Sequence, residues 1–289
     1  MMPSSTSYEV AMVITDRDLE LFKNLSTYGI LSTKLVKNIV FSSIATTTVL
    51  RRLRCLEERF YLKRILGLES QETLWTLTEK GAELAEVLMP KRHWSKTMLE
   101  HDFKLLKLRL ALEESGVSHS WLPEHQIRSS VFQKNGIRGI KDKLIPDGLM
   151  GIEVDGKRMS IAVELELTLK NKDKLKQIVR KYQDTGGLHA VWYIAPTASI
   201  LNAVWHEWNK GYGSNKFYFY GSLLDQVMEN PLEAKLIGGK PHRLVREAWS
   251  IKPAHPPAQG VSILNEKNIE PKLELTTENH TPIFETVSC

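Results

Sequence analysis

Cysteine is scarce. Only Cys55, inside a helical pattern, and Cys289, at the last position, occur in 289 residues. No disulfide framework is implied, and a reduced, cytoplasmic protein is expected. No CxxC pair or His/Cys cluster is present, so zinc is not expected. No run of about 18 apolar residues occurs, which removes a membrane span from the expectations, and a membrane partner with it. The opening stretch MMPSSTSYEVAMVITD has no basic segment followed by an apolar one, so no secretory signal is indicated. Neither sign of charge dominates: 39 Lys and Arg against 34 Asp and Glu leave a formal net charge of +5. That excess is compatible with a polyanionic partner without requiring one. With 42% hydrophobic and 25% charged residues the composition is globular, and the length suffices for one large domain or two ordinary ones.

What is present begins with helices. After a loose leader over residues 1–13, Thr15 is placed to cap a helix, with Asp18 three residues on. Leu19, Leu21, Phe22 and Leu25 have helical spacing, and Gly29 ends the run. A second helix starts at a Ser32 cap and a third runs from about Ser43 through ATTTVLRRLRCLEER. YLKRILGL, a turn and TLWTLT then read as a hairpin, followed by a closing helix EKGAELAEVLM with Thr78 as its cap. Three helices, a hairpin and a helix are the order of a winged helix-turn-helix, expected over residues 1–92. Pro90 opens a junction, and EHDFKLLKLRLALEESG reads as a long amphipathic helix ending at Gly116.

Residues 119–170 read as β structure. KNKDKLKQIVRKY reads as a basic helix, HAVWYIA as a strand, 198–211 as a helix, 216–220 as a strand and 221–229 as a short helix. The alternation predicts an α/β core over 93–251. Residues 252–289, opening with Pro253, Pro256 and Pro257, are expected to be a largely disordered tail.

The dipeptide Asp155-Gly156 is a two-residue hairpin signal. With those residues as the loop, Val154 faces Lys157 and Asp147 faces Glu164. One side of the ribbon then carries Gly148, Met150, Ile152, Val154, Met159, Ile161 and Val163, broken only by Lys157 beside the turn. The other carries Asp147, Leu149, Glu153, Arg158, Ala162, Glu164 and Glu166. A one-residue slip would destroy that segregation. Like charges on opposed residues repel, so three carboxylates on one face ask for a cation. Mg2+ or Mn2+ takes oxygen ligands of this kind, polarises a phosphodiester and activates water. The expected ligands are Asp147, Glu164 and Glu166; a solvated strand face is the alternative.

The series IPDG, AVELELTLKNK and a helix with QIVRKY resembles the PD-(D/E)XK nucleases, whose restriction-endonuclease-like fold is thereby implied for the second domain. The resemblance matches Asp147 and Glu164 to the family's two acids. Glu166 stands where the family's lysine usually stands; Lys170 or Lys181 would supply that charge, and Gln177 and Tyr182 would line the site. Together with the winged helix, residues 15–230 resemble the replication-relaxation family and MOBC-class relaxases. That likeness implies a metal-dependent DNA endonuclease, a nickase or relaxase of plasmid or other mobile-element DNA, working with other mobilisation or replication proteins. His101, leading the helix HDFKLLKLRLALEE, would move a proton or hold a phosphate, or is simply structural. No His-hydrophobic-His motif is present, so the histidine cradle of tyrosine relaxases is absent.

For the winged helix the expected partner is double-stranded DNA. Ser43, Thr46, Thr47 and Thr48 at the start of the third helix, with Arg51 and Arg52, are the expected base and phosphate contacts. Arg54 and, at the wing, Lys63 and Arg64 extend the set. Lys170, Lys172, Lys174, Lys176, Arg180 and Lys181 form a basic stripe that either tracks a phosphate backbone or is a solvated helix face. The competing reading is a DNA-binding regulator or accessory factor without catalysis.

Overall fold

The computed structural model describes residues 13–66, 72–89, 95–154, 156–183, 185, 187–210, 218–238 and 243–251. The expected tail at 252–289, Asp155 of the expected hairpin loop, residues 90–94 of the expected junction and most of the expected leader lie outside these.

Helix α1 (Asp16–Tyr28) opens on a reciprocal cap. The Thr15 hydroxyl accepts from the Asp18 N–H, and the Asp18 carboxylate accepts from the Thr15 N–H at 2.7 Å. It ends at Gly29, whose φ of 80° suits a residue without a Cβ and whose N–H donates to the Leu25 carbonyl. Then follow β1 (Leu31–Ser32), α2 (Thr33–Val40) capped by Ser32, α3 (Thr46–Glu58), β2 (Leu62–Ile65), β3 (Leu74–Leu77) and α4 (Glu79–Leu84) capped by Thr78. The sheet order is β1-β3-β2, antiparallel, with Leu31 opposite Trp75 and Lys63 opposite Thr76. This is the element order of a winged helix-turn-helix. The two-residue β1 is an addition that hydrophobic periodicity does not reveal.

Leu21, Phe22, Leu25, Val49, Leu53, Leu56, Leu74 and Trp75 form the core of this part. Leu99, Phe103 and Leu106 of α5 (Lys96–Glu114) belong to the same cluster. The helix assigned to the second domain by the sequence expectation therefore packs with the winged helix. The chain groups into one unit of Met1–Glu114 with Trp121–Leu149, and a second of Ser115–Ser120 with Met150–Cys289. The division runs through β4 (Ser120–Pro123) and β5 (Gly148–Val154).

Within residues 119–170, read from sequence as β structure, the fold places helix α6 (Glu124–Asp142), interrupted at Gly136 (φ 64°). Ile127 and Val131, four apart, give this segment a helical apolar side that two glycines obscure in the sequence. Gly148 lies against the Trp121 ring: a Cβ there would stand 2.1 Å from Cζ2.

The larger sheet has the order β4-β5-β6-β7-β8, with β6 (Lys157–Leu165), β7 (Ala190–Ala195) and β8 (Tyr218–Leu223). β6, β7 and β8 run parallel, with Glu164 beside Tyr193 and Tyr193 beside Gly221. Helix α7 (Lys172–Gln183) joins β6 to β7, and α8 (Ala198–Asn209) joins β7 to β8. Helix α8 packs on β7 and β8, and α7 packs on α8. Parallel strands covered on both faces become apolar throughout, as AVWYIA of β7 is. Ala162, on the expected carboxylate face, is buried for the same reason. Helix α9 (Leu224–Glu229), β9 (Lys235–Leu236), β10 (Arg243–Leu244) and α10 (Val245–Ala248) follow among the described residues, with β9 and β10 antiparallel. No helix among the described residues is long and apolar enough to cross a membrane.

Candidate functional site

Helix α3 follows a short turn from α2 and presents its first turn outward. Ser43, Thr46, Thr47 and Thr48 are exposed, because the buried positions of this helix are Val49, Leu53 and Leu56. Arg51 and Arg54 are also exposed. On the adjoining strand Lys63 and Arg64 point to solvent, and the Arg64 Nε lies 3.3 Å from Glu57. These side chains offer hydroxyls and cations on the helix that a winged helix uses for reading a groove.

Arg52 differs from the other expected contacts. Its Nε donates to Asp18 at 2.9 Å and its Nη2 donates to the Val13 carbonyl at 2.8 Å. The same Nη2 also pairs with the other Asp18 oxygen. Burial pushes the Asp18 carboxyl up, but the hydrogen bonds from Arg52 and Thr15 outweigh it and hold it below its ordinary value. Arg52 therefore fastens α3 to α1.

In the first unit Asp147 meets His101, with Asp147 Oδ2 3.3 Å from the ring Nε2. The ring Nδ1 lies 3.2 Å from Asp102. Burial disfavours the imidazolium, yet hydrogen bonds and charge from Asp102 and Asp147 raise His101 to about 10. Both ring nitrogens face these carboxylates, so His101 is an imidazolium held between Asp102 and Asp147 and is unsuited to accepting a proton. Sequence reading overlooked Asp102, although its adjacency to His101 was visible. A pocket beside this cluster is lined by Tyr28, Asp102, Arg109, Trp121, Glu124 and Asp147, among others. Arg109 stacks on Tyr28, its carbon 4.4 Å from the ring centroid, and its Nε donates to Glu113 at 2.7 Å.

In the second unit, Glu164 accepts a hydrogen bond from the Tyr182 hydroxyl of α7. Glu166, only 4% exposed, pairs with Lys170 four residues on. Its N–H donates to the Ile194 carbonyl, extending the ladder past the end of β6. Gln177 is exposed, and Lys181 is half-buried with its carbonyl accepting from the Thr185 hydroxyl. Lys170 is thus the counter-ion of Glu166.

The test of Mg2+ or Mn2+ is the donor set. Asp147 faces an imidazolium, Glu164 a phenol and Glu166 an ammonium. Among the described residues no group of three or more His, Cys, Asp or Glu is placed to hold a metal ion. Each of the three expected ligands therefore has a protein donor against its carboxylate. The register predicted from alternation considered only backbone pairing and could not foresee these partners.

No family model matches the chain, and no curated protein matches it. Among solved structures it is similar to a mutant of MarR from E. coli, at 19% identity and a TM-score of 0.23. That match covers 25% of this chain and 53% of the MarR chain, about half its length. It is also similar to a mutant of Lactococcus lactis ZitR at 18% identity and a TM-score of 0.23, covering 44% of this chain and 75% of that one. A second ZitR mutant, in apo form, matches at 18% identity and a TM-score of 0.22, over 42% and 78% of the two chains.

Proposed function

We propose that this chain is a DNA-binding protein of the regulator or accessory type, which engages double-stranded DNA through α3 and the β2–β3 wing. The observation that carries this reading is the outward first turn of α3. Thr46, Thr47 and Thr48 are exposed there, with Ser43 in the turn before the helix, Arg51 one turn on, and Lys63 and Arg64 on β2 also exposed, over a core that needs none of them. Short hydroxyl side chains and arginines at the start of such a helix suit base edges and phosphates. The test is selection of a duplex from a random library by the full chain, followed by binding titrations. An enriched sequence whose binding is lost in Thr47→Ala/Arg51→Ala supports the reading. Equal binding by wild type and variant sinks it.

A second reading, metal-dependent cleavage of plasmid or mobile-element DNA by a PD-(D/E)XK-type domain, is favoured by one observation. Glu164 and Glu166 stand two residues apart at the carboxyl end of β6, between β5 and β7. Ligands of open α/β sheets bind outside the carboxyl ends of strands. The partners held by Asp147, Glu164 and Glu166 weigh against it. Incubation of supercoiled DNA with Mg2+ or Mn2+, comparing wild type with Glu164→Ala, separates the two. A metal-dependent open-circle product absent from the variant would support cleavage; equal DNA patterns with retained binding would support the regulator.

A further inference from the structure

Helix α7 is sided in two ways at once. Leu175, Val179 and Tyr182 are its buried stripe. Lys172, Lys176 and Arg180 recur every fourth residue, which aligns them along one shoulder of the helix, about 6 Å apart at each step. That shoulder is the one toward α8. The Glu207 carboxyl of α8 is held below its ordinary value, first by a hydrogen bond from Lys210 and then by the charges of Lys210, Lys172 and Lys176. Lys210 Nζ lies 2.7 Å from Glu207.

Three cations from two helices, Lys172, Lys176 and Lys210, therefore border Glu207, and Arg180 continues the α7 row one turn on. Among the described residues two carboxylates stand by them: Glu207, buried and engaged with Lys210, and Asp173, largely exposed and 3.8 Å from Lys176. Like charges at successive helical turns repel one another. A row of cations kept in this arrangement is relieved by a polyanion laid along it, and a nucleic-acid backbone releases its own condensed ions in return.

We propose that the α7–α8 face of the second unit is a second, sequence-independent contact surface for the phosphate backbone of duplex DNA, formed by Lys172, Lys176, Arg180 and Lys210. This surface rests on the DNA-binding reading above. It would add affinity without adding discrimination, since phosphate contacts carry no base information.

The test uses the full chain and a fluorescent duplex of arbitrary sequence, with affinity measured across a salt series. Removing two phosphate contacts makes the dependence of log K on log salt shallower by about 1.8. Lys172→Gln/Lys176→Gln is expected to show that loss, and Lys172→Arg/Lys176→Arg to keep the wild-type slope. Lys23→Gln/Lys104→Gln, which removes the same charge from exposed positions of the first unit, is expected to leave the slope unchanged. Thermal unfolding confirms that each variant is folded. An unchanged slope in the folded Lys172→Gln/Lys176→Gln variant overturns the proposal and leaves the winged-helix reading standing. A wild type that binds no duplex at all overturns both. Displacement of the duplex by polyglutamate as effectively as by unlabelled DNA, lost in the same variant, would assign the face to an acidic protein instead and overturn the DNA assignment.

Discussion

The guanidinium of Arg52 closes over the carboxylate of Asp18, with Nε 2.9 Å from Oδ1, and ties α3 to the first helix of the fold. Asp18 is fully buried, so its charge has no recourse to water once Arg52 is gone. Arg52→Ala is expected to cost about 2–3 kcal/mol of stability. Chemical denaturation measures this. DNA affinity of the folded fraction should change little, in contrast to Arg51→Ala.

The same pair has a defined pH signature. The Asp18 carboxyl lies below its ordinary value in the fold. Its contribution is therefore present above the unfolded-state value and is lost as pH falls through the folded one. Asp18→Asn should flatten the acid limb of a stability profile, and an unaltered limb would refute the assignment.

His101 has the opposite sign. Its value is raised from 6.5 to about 10 by the carboxylates of Asp102 and Asp147, against the effect of burial. The stabilisation is complete below pH 6.5 and is lost as pH rises through about 10. Stability is expected to decline from neutral to alkaline pH in the wild type, and this decline should shrink in His101→Gln. Nuclear magnetic resonance titration of the imidazole checks the raised value directly.

Lys170 is the counter-ion of a nearly buried Glu166. Lys170→Met leaves that carboxylate without its cation and should destabilise the chain by about 2–3 kcal/mol. Lys170→Met/Glu166→Leu should recover much of the loss, because an apolar pair needs no partner. Equal stability of the two variants in thermal unfolding would contradict this.

Gly148 has no room for a methyl group beside Trp121. Gly148→Ala is expected to cost about 1–3 kcal/mol, as overpacking does. Trp121→Leu in the same background should relieve the clash; measured additivity of the two changes would refute the contact.

Local signals sufficed wherever neighbours in the chain decide the outcome. Thr15 and Asp18 announce the cap of α1 because both partners lie within one turn. Gly29 announces its end, and the phrase TLWTLTEKG, with Thr78 placed to cap, announces β3 and α4. The exposed start of α3 was also legible, since its apolar spacing leaves Thr46, Thr47 and Thr48 on the outside. Helix α6 was not legible: Gly136 and Gly139 break its pattern, and its half-buried side chains depend on what packs beside them.

The sequence by itself determined the winged-helix order, the α/β alternation that follows it and which residue types stand on α3 and α7. Those follow from periodicity and caps, which are interactions over a few residues. Tertiary structure alone decided where the charges end up. Arg52 turns to Asp18, 34 residues away; His101 sits between Asp102 and Asp147; and Glu164 takes a hydrogen bond from Tyr182. A buried carboxylate binds whichever donor the fold brings against it, because desolvation makes an unpaired charge costly. Sequence patterning could put three acids on one face of a ribbon, but it contains no information about the donors that neutralise them.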